Sequence, residues 1–425
     1  MKNKFSRGTS QGRQNLIILL CWFVYSFAYF GRYSYSSSIN SLIENYNVDK
    51  AETGFVMTCF FVVYGLGQVV NGFLCKKYPS RFILSIALWG SSLVNVILFL
   101  GIRTGNIGEY FYLVKYVWLI NGIFQSLLMT SIIYIFGKNL ENDNLAKAGL
   151  VFGTTVPAGT FLAYSICTLM EHFGMFELTF LIASVIMSII GFAWFLLYTP
   201  NERTDIESTK EDEENSVQPT KHKKRGISVF ALLTVGGLAV FAVSNNFIKD
   251  GLQTWIPTML KEVYNFSNVA SLILATSIYM FGMIGVFIVK KISKKRNDYV
   301  FLSIRFAAVA FLFIGGIKLF LNVSYIPVVI FFASVIVIAY GINNIVTSLA
   351  PLSLRDEINP GTVAGVLDGF CYVGSALSTY LLGLIADKYT WDTVITVVLI
   401  TIISAVIIVS LIKLITDRIK NRVAK

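Results

Sequence analysis

Long apolar segments alternate with short polar ones along the whole chain. The segments are continuous and do not alternate every second residue, so they predict helices and not the strands of a barrel. A run of about 18 mostly apolar residues crosses a hydrocarbon core of roughly 30 Å. The pattern predicts twelve membrane spans, at about residues 15–41, 52–75, 82–102, 109–137, 147–170, 175–199, 227–259, 268–290, 299–321, 325–351, 361–386 and 391–415.

One longer polar segment divides these spans into two groups of six. Residues 201–226 are rich in Glu, Asp, Lys and Thr and contain no apolar run, as in a solvated linker. The sequence therefore predicts an N-terminal half over residues 1–200, a cytoplasmic linker over 201–226 and a C-terminal half over 227–425.

The two halves also share a short motif. Gly72 precedes Lys76 and Lys77 after the second span, and Gly285 precedes Lys290 after the eighth. A glycine followed by basic residues at the same place in each half is what a duplicated six-helix unit produces, and parallel repeats of this kind build the major facilitator fold. The expected fold class is an all-α membrane protein with twelve helices in two halves.

Composition and charge support a membrane protein. Hydrophobic residues make up 55% of the 425 residues and charged residues 14%, so lipid is the expected solvent. The net charge of +11 does not indicate nucleic acid, because the basic residues lie in loops. Of the 35 lysines and arginines, 26 fall on the side of the N-terminus. The opposite side has only Lys50, Arg103, Lys261, Lys318 and Lys388. By the positive-inside rule, both termini are expected in the cytoplasm, with the protein in the inner or plasma membrane.

The sequence offers no catalytic, metal or cofactor site. Its five cysteines have no CxxC spacing, and its two histidines, His172 and His222, lie in loops. No nucleophile–base pair appears either, so an enzyme is disfavoured.

Four basic residues lie inside predicted spans: Arg32, Lys115, Lys249 and Arg305. A charge at the bilayer centre costs roughly 2.5–3.5 kcal/mol, so each needs a physical reason. Lys115 and Arg305 are near span ends and can reach the membrane interface. Arg32 and Lys249 lie deeper, in the first span of each half.

Because Arg32 and Lys249 occupy corresponding positions in the two halves, they are expected to face each other across a central cavity. Two facing cations repel unless an anion lies between them, which predicts a small anionic substrate. Phosphate suits them, since arginine can bind two oxygens at once. The alternative is a fixed network in which Arg32 pairs with Asp368 and Lys249 with Asp250.

Asp368 is open to three roles. It can act as a static counter-ion, as a group that rejects a second negative charge on the substrate, or as a proton-coupling group. Tyrosine hydroxyls are further candidate phosphate ligands, from Tyr25, Tyr29, Tyr64, Tyr340 and Tyr372.

Several segments resemble the organophosphate:phosphate antiporter family of the major facilitator superfamily, which includes glycerol-3-phosphate and hexose-phosphate transporters. These segments are Tyr25–Arg32, Val63–Gly65, Asn121–Gln125, Lys249–Val263, Gly361–Gly374 and Trp391–Asp392. They cover both halves in order. The resemblance implies exchange of a phosphorylated metabolite for inorganic phosphate by a monomer, with Arg32 and Lys249 binding the phosphoryl group and the five tyrosines lining the cavity.

The sequence departs from that family at several positions. Lys249 replaces the arginine of the second half, and Gln68, also an expected binding residue, replaces a lysine of the second span. Thr155 stands nearest to a histidine that some members have in the fifth span. Lys76 replaces an aspartate in the loop after the second span. These changes predict an altered substrate within the same fold.

Two other functions stay open at this point. One is a proton-coupled carrier of an organic carboxylate, in which Asp368 titrates. The other is a transporter-like membrane sensor of sugar phosphate.

Overall fold

A computed structural model describes residues 11–105, 107–198, 229–293, 298–354, 358 and 360–423. Within these ranges every regular element is a helix, which confirms the predicted all-α class. The predicted linker, residues 201–226, lies outside the described residues, so the division into two halves stays a prediction.

The helices before the polar segment are α1 Gln11–Ser37, α2 Ile39–Tyr46, α3 Lys50–Lys77, α4 Ser80–Arg103, α5 Phe111–Asn139, α6 Asn142–Phe152, α7 Thr155–His172 and α8 Leu178–Leu197. Those after it are α9 Val229–Tyr264, α10 Asn268–Met280, α11 Gly282–Ser293, α12 Tyr299–Phe320 and α13 Tyr325–Asn344. A π-helical turn, Ile345–Leu349, joins α13 to α14 Ala350–Ser353, and α15 Pro360–Lys388 and α16 Trp391–Val423 complete the described chain.

Eleven helical segments in the described chain are long and apolar enough to cross a membrane. They correspond to all the predicted spans except the one at residues 147–170. That region forms α6 and α7, which are separated at Gly153 and Thr154. α7 packs along α1 and α10, so it occupies the position expected of a membrane span.

The predicted eighth span consists of two helices that meet at Phe281. In the second of them, α11, a Cβ atom added to Gly285 would lie 1.9 Å from the carbonyl oxygen of Val337 in α13. Only glycine permits two backbones to come this close. Gly285 therefore fixes the position of α13 against α11.

Pro257 lies inside α9 and leaves a backbone carbonyl without its usual partner. A proline has no N–H group, so the carbonyl of Gln253, four residues earlier, cannot form the helical hydrogen bond. The hydroxyls of Tyr164 and Tyr279 donate to it instead, at 2.6 and 2.8 Å. Since Tyr164 belongs to α7 and Tyr279 to α10, this one carbonyl connects three helices.

The two groups of helices meet where α3 packs on α15 and where α7 packs on α10. At one end of these contacts ion pairs cross between the groups, and we call this the closed end. Lys50 at the start of α3 lies 3.0 Å from Glu262 and 3.6 Å from Asp387. Lys261 pairs with Glu44. These pairs join α2 and α3 to the last residues of α9 and α15.

Close backbone packing accompanies the ion pairs. A Cβ atom added to Gly54 in α3 would lie 2.1 Å from the carbonyl oxygen of Thr379 in α15. Beside this contact the indole of Trp255 donates to the same carbonyl, at 3.1 Å. Closure of this end therefore requires a glycine at position 54.

We predict that Gly54→Ala opens the closed end. The added methyl group would meet backbone, which cannot move as a side chain can, and overpacking of this kind costs about 1–3 kcal/mol. The population of the closed arrangement should fall roughly 5- to 150-fold relative to an open one. Spin labels at the exposed positions Thr104 and Tyr389, measured by double electron–electron resonance, should show a new longer distance.

Gly72→Ala is the matched control, because a Cβ atom added to this glycine of the same helix has no atom within 4 Å. It should leave the distance distribution unchanged. An unchanged distribution for Gly54→Ala would contradict the packing argument.

Candidate functional site

A cavity of about 220 Å³ lies between the two groups of helices. Both deep cations, Arg32 from α1 and Lys249 from α9, line it. Of the residues expected from the sequence, it is also lined by Tyr25, Tyr29, Tyr340, Asp368 and Tyr372. The structure thus brings seven of the nine expected residues to one cavity; Tyr64 and Gln68 are not among its lining residues.

Arg32 is buried, with 2% of its surface exposed. Its Nε donates to Oε1 of Gln125 in α5 at 3.1 Å. Its guanidinium carbon lies 4.3 Å from the centre of the Tyr29 ring and 4.2 Å from that of Tyr64, distances at which a cation is attracted to an aromatic face. Tyr64 therefore supports the arginine without lining the cavity.

Arg32 keeps binding capacity that these contacts do not use. Among the described residues, no carboxylate lies within 4.0 Å of its guanidinium, and Gln125 is its only hydrogen-bond partner. Its two terminal nitrogens are therefore available to a ligand. A planar guanidinium offers them to two oxygens of one anion.

Lys249, in contrast, has a protein counter-ion. Its Nζ lies 3.3 Å from Oδ1 of Asp250, and both side chains are buried. The second oxygen of Asp250 accepts a hydrogen bond from Ser375 in α15. The ammonium group also lies 5.6 Å from the ring centre of Tyr340. Asp250 therefore orients Lys249 at the cavity wall and offsets part of its charge.

The fixed ion-pair network considered from the sequence is present only in part. Lys249 and Asp250 pair as that alternative predicts. Asp368 lines the cavity and the charges of both cations act on it, but it forms no ion pair within 4.0 Å with Arg32. Within the part of the chain that the structure describes, Arg32 is thus the deep cation whose charge no adjacent carboxylate balances.

A layer of hydrogen-bonded side chains separates the cavity from the closed end. Tyr33 donates to Oε1 of Gln253 at 3.2 Å, and Nε2 of Gln253 donates to the hydroxyl of Tyr340 at 2.9 Å. The backbone carbonyl of the same glutamine is the one held by Tyr164 and Tyr279. This Gln253 layer joins α1, α7, α9, α10 and α13 across the molecule.

Away from the Gln253 layer the cavity extends toward the opposite end of the bundle. It is lined there by Phe136 near the end of α5, by Gly149 in α6 and by Ser348 in the π-helical turn. These elements lie at the ends of the helices farthest from Lys50 and Asp387. The cavity is therefore closed on one side and accessible from the other.

Aromatic residues from both groups of helices contact one another beside the cavity. The hydroxyls of Tyr25 and Tyr64 are 3.3 Å apart, and the rings of Tyr64 and Tyr372 have centres 4.6 Å apart. Gln68 follows Tyr64 by one helical turn in α3, and its Nε2 is buried with no hydrogen-bond partner among the described residues.

The two other basic residues in spans are placed outside the cavity. Arg305 is exposed and stacks on Phe301, with 4.3 Å between its guanidinium carbon and the ring centre. Lys115 lies against the rings of Phe55 and Tyr116. Neither lines the cavity, and their reach to the membrane interface stays a prediction.

Sequence reasoning missed several polar residues at the cavity. Gln125 accepts a hydrogen bond from Arg32, and Gln253 is hydrogen-bonded to tyrosines. Asn343, Asn344 and Thr347 line the C-terminal wall. Two signals were present in the sequence: a proline four residues after Gln253, and polar residues spaced three and four apart at the end of an apolar span.

The described residues contain no group of three or more His, Cys, Asp or Glu side chains that could hold a metal ion.

Comparison with known proteins gives relatives of similar length. A putative glycerol-3-phosphate transporter 5 of Arabidopsis thaliana is 26% identical over 81% of this chain and 77% of its own length. Sugar phosphate exchanger 3 of Homo sapiens is 23% identical over 92% of this chain and 91% of its own. The membrane sensor protein UhpC of Escherichia coli (strain K12) is 24% identical, but the match spans only 26% of this chain and 23% of the sensor.

The fold is also found among solved structures. A bacterial homologue of the human lysosomal transporter Spinster superposes with a TM-score of 0.71 at 13% identity, over 96% of this chain and 98% of the other. The family model of the Major Facilitator Superfamily matches residues 21–379, which include both deep cations and the whole cavity wall. The chain therefore belongs to the Major Facilitator Superfamily, a family of membrane transporters.

Proposed function

We propose that this protein exchanges a small phosphorylated organic anion, of the sugar phosphate or glycerol phosphate type, for inorganic phosphate. The proposal rests mainly on the surroundings of Arg32. Its charge is buried in the cavity, no described carboxylate lies within 4.0 Å, and its terminal nitrogens are unused. Such a charge is costly at membrane depth and is stabilised when an anion binds beside it.

Phosphate fits this arrangement better than a carboxylate does. A phosphoryl group has three terminal oxygens, so it can accept two hydrogen bonds from Arg32 and still meet the ammonium of Lys249. The names of the relatives support the same class, since they include a glycerol-3-phosphate transporter and a sugar phosphate exchanger. The similarity to the sensor UhpC covers only part of either chain, so it gives weaker support to a sensing role than the other relatives give to transport.

The cavity is accessible from one side only, and this explains transport by exchange. An anion enters from the accessible side and neutralises the deep cations. The helices can then rearrange, the ion pairs of Lys50 separate, and the closed end opens. An empty cavity retains the uncompensated charge of Arg32 and so rearranges poorly. A second anion must therefore bind before the helices return to the first arrangement. One chain contains both cations, so a monomer suffices.

In the proposed orientation both termini are cytoplasmic and the protein lies in the cell membrane. The closed end then faces outward, and the cavity is accessible from the cytoplasm. The distribution of basic residues in the loops supports this orientation.

We predict that Arg32→Ala and Lys249→Ala abolish exchange of labelled phosphate into proteoliposomes loaded with phosphate. Loss of two charge-assisted hydrogen bonds at Arg32 removes roughly 3–6 kcal/mol of binding, so the rate at low phosphate should fall at least about 100-fold. Arg32→Lys keeps the charge but loses the two-oxygen geometry, and should retain an intermediate rate.

Arg305→Ala and Lys115→Ala are matched controls, because each removes the same type of residue from a span without touching the cavity. Both should exchange phosphate like the wild type. If the wild type carries no phosphate, or if its uptake of a carboxylate collapses with the proton gradient, the exchange proposal is wrong.

A second prediction concerns the partner of Lys249. Asp250→Asn removes one member of a buried ion pair, which typically costs about 3–5 kcal/mol of stability. A bound phosphate can replace the lost negative charge, so the increase in melting temperature on adding phosphate should be larger in the variant than in the wild type.

Asp387→Asn is the control for this experiment, since it removes a carboxylate of the closed end. It should lower the melting temperature without increasing the effect of phosphate. Equal phosphate effects in Asp250→Asn and the wild type would argue against an anion next to Lys249.

The orientation is tested with single cysteines at Thr104 and Glu141, which are both exposed. A membrane-impermeant maleimide added to intact cells should label position 104, near the closed end, and should label position 141 only after lysis. The reverse pattern would invert the proposed topology.

A further inference from the structure

A groove of about 530 Å³ lies on the outer surface of the bundle, and it shares no lining residue with the central cavity. Its wall includes Ile278 of α10, Phe281 at the junction of α10 and α11, Val309 of α12 and Val337 of α13. Phe281 is 41% exposed and Val309 45% exposed. Because these helices are long and apolar enough to span the membrane, the groove opens toward the hydrocarbon of the bilayer. We call it the lateral groove.

The lateral groove has no free polar group to offer a ligand. Its only hydroxyls belong to Ser277 and Ser334, and its other lining residues are all Ala, Val, Ile or Phe. Ser277 donates to the carbonyl of Leu274 at 2.7 Å, and Ser334 donates to that of Ile330 at 2.9 Å. Both hydroxyls therefore bond within their own helices. Such a groove suits a hydrocarbon chain and not a polar molecule.

One edge of the groove leads along α12 to a cation. Arg305, Val309 and Phe313 follow one another at spacings of four residues, so they lie along one side of the helix. Val309 and Phe313 line the groove, and the backbone of Arg305 lies about 6 Å before Val309. The guanidinium of the exposed Arg305 stacks on Phe301, one turn nearer the start of α12. The charge therefore lies beyond the groove, on the side where α12 begins.

The other edge leads along α11 to a second cation. Phe281, Ile284, Ile288 and Lys291 follow one another at spacings of three and four, and all four are exposed. They form an apolar strip about 15 Å long that ends at Lys291. Since α12 and α13 are consecutive and pack on each other, the start of α12 lies at the same end as the π-helical turn after α13. This is the accessible end, opposite the closed end, and the last turn of α11 precedes it directly.

Both cations keep their charge available. Among the described residues, neither Arg305 nor Lys291 has a carboxylate within 4.0 Å. Asp298, just before α12, lies 2.7 Å from Lys413 instead. The segment between the two helices adds further basic residues to the sequence, at positions 294–296. The apolar groove thus continues into a positively charged surface.

We propose that the lateral groove, Arg305 and Lys291 together bind one anionic phospholipid from the leaflet at the accessible end. Its phosphate contacts the guanidinium and the ammonium, and one acyl chain follows the apolar strip into the groove. The hydrocarbon of one leaflet is about 15 Å thick, which matches the distance along the helix from Lys291 to Phe281. A zwitterionic lipid has the same chains and phosphate but adds a cation of its own, so it fits two basic residues less well.

The test is native mass spectrometry of the purified, delipidated protein, titrated with dioleoyl phosphatidylglycerol or dioleoyl phosphatidylcholine. The measured quantity is the dissociation constant of the first bound lipid. One basic residue near an anionic headgroup strengthens binding roughly fivefold. We expect the wild type to prefer phosphatidylglycerol at least about fivefold, and Arg305→Ala and Lys291→Ala each to reduce that preference by about the same factor.

Lys115→Ala is the matched control for the charge, because it removes a basic residue of a span in the other group of helices. It should keep the wild-type preference. Ala333→Trp tests the groove itself, since a large side chain at this lining position occupies the space of the acyl chain, and bound phosphatidylglycerol should be lost. Leu319→Trp is its control: this residue of α12 is 77% exposed and does not line the groove, so binding should persist.

Three results would overturn the proposal. One is equal affinity of the wild type for the two lipids. Another is the same loss of preference in Lys115→Ala as in Arg305→Ala, which would show a general effect of positive charge. The third is wild-type binding of phosphatidylglycerol by Ala333→Trp, which would show that the cations hold a headgroup without the groove. Equal melting temperatures of wild type and Arg305→Ala would verify that the exposed substitution leaves the fold intact. Lipid binding is measured without transport, so the result is independent of the proposed exchange.

Discussion

The central feature of the site is the positive charge of Arg32, which is buried with no carboxylate of the described residues within 4.0 Å. The surrounding residues stabilise this charge without neutralising it: Gln125 accepts a hydrogen bond from Nε, and the guanidinium lies over the rings of Tyr29 and Tyr64. Cation–π contacts and one amide do not replace a counter-ion. We infer that the site is best stabilised when an anion binds, and that this requirement connects the fold to transport.

The Gln253 layer connects the deep cations to the helices of the closed end. Pro257 frees a carbonyl, and two tyrosines from different helices bind it. The side chain of the same glutamine contacts Tyr340, which lies beside Lys249. Contacts through Tyr340 and Gln253 thus connect Lys249 to the helices whose ends carry the ion pairs of the closed end. The close backbone contact at Gly54 packs α3 tightly against α15 at that end.

Much of the fold and of the site could be predicted from the sequence, because the length of an apolar run and the position of a charge within it are read directly from the order of residues. The length of apolar runs sets the spans, and the cost of a charge in lipid singles out Arg32 and Lys249 among the basic residues. The Lys249–Asp250 pair was also foreseeable, since its members are adjacent. The absence of an Arg32–Asp368 pair, the break of the fifth span at Gly153 and the roles of Gln125 and Gln253 were not. They depend on how helices rotate and approach one another, which hydrophobicity alone does not determine. Asn343, Asn344 and Thr347 lie between these cases, as their helical spacing is visible in the sequence but their place at the cavity is not.

The most direct test is an electron cryomicroscopy structure of the protein saturated with phosphate. We expect phosphate density in the cavity, with oxygens about 2.7–2.9 Å from both terminal nitrogens of Arg32 and a further oxygen facing Lys249. Phosphate bound elsewhere, or an unchanged and unoccupied Arg32 at saturating phosphate, would contradict the account.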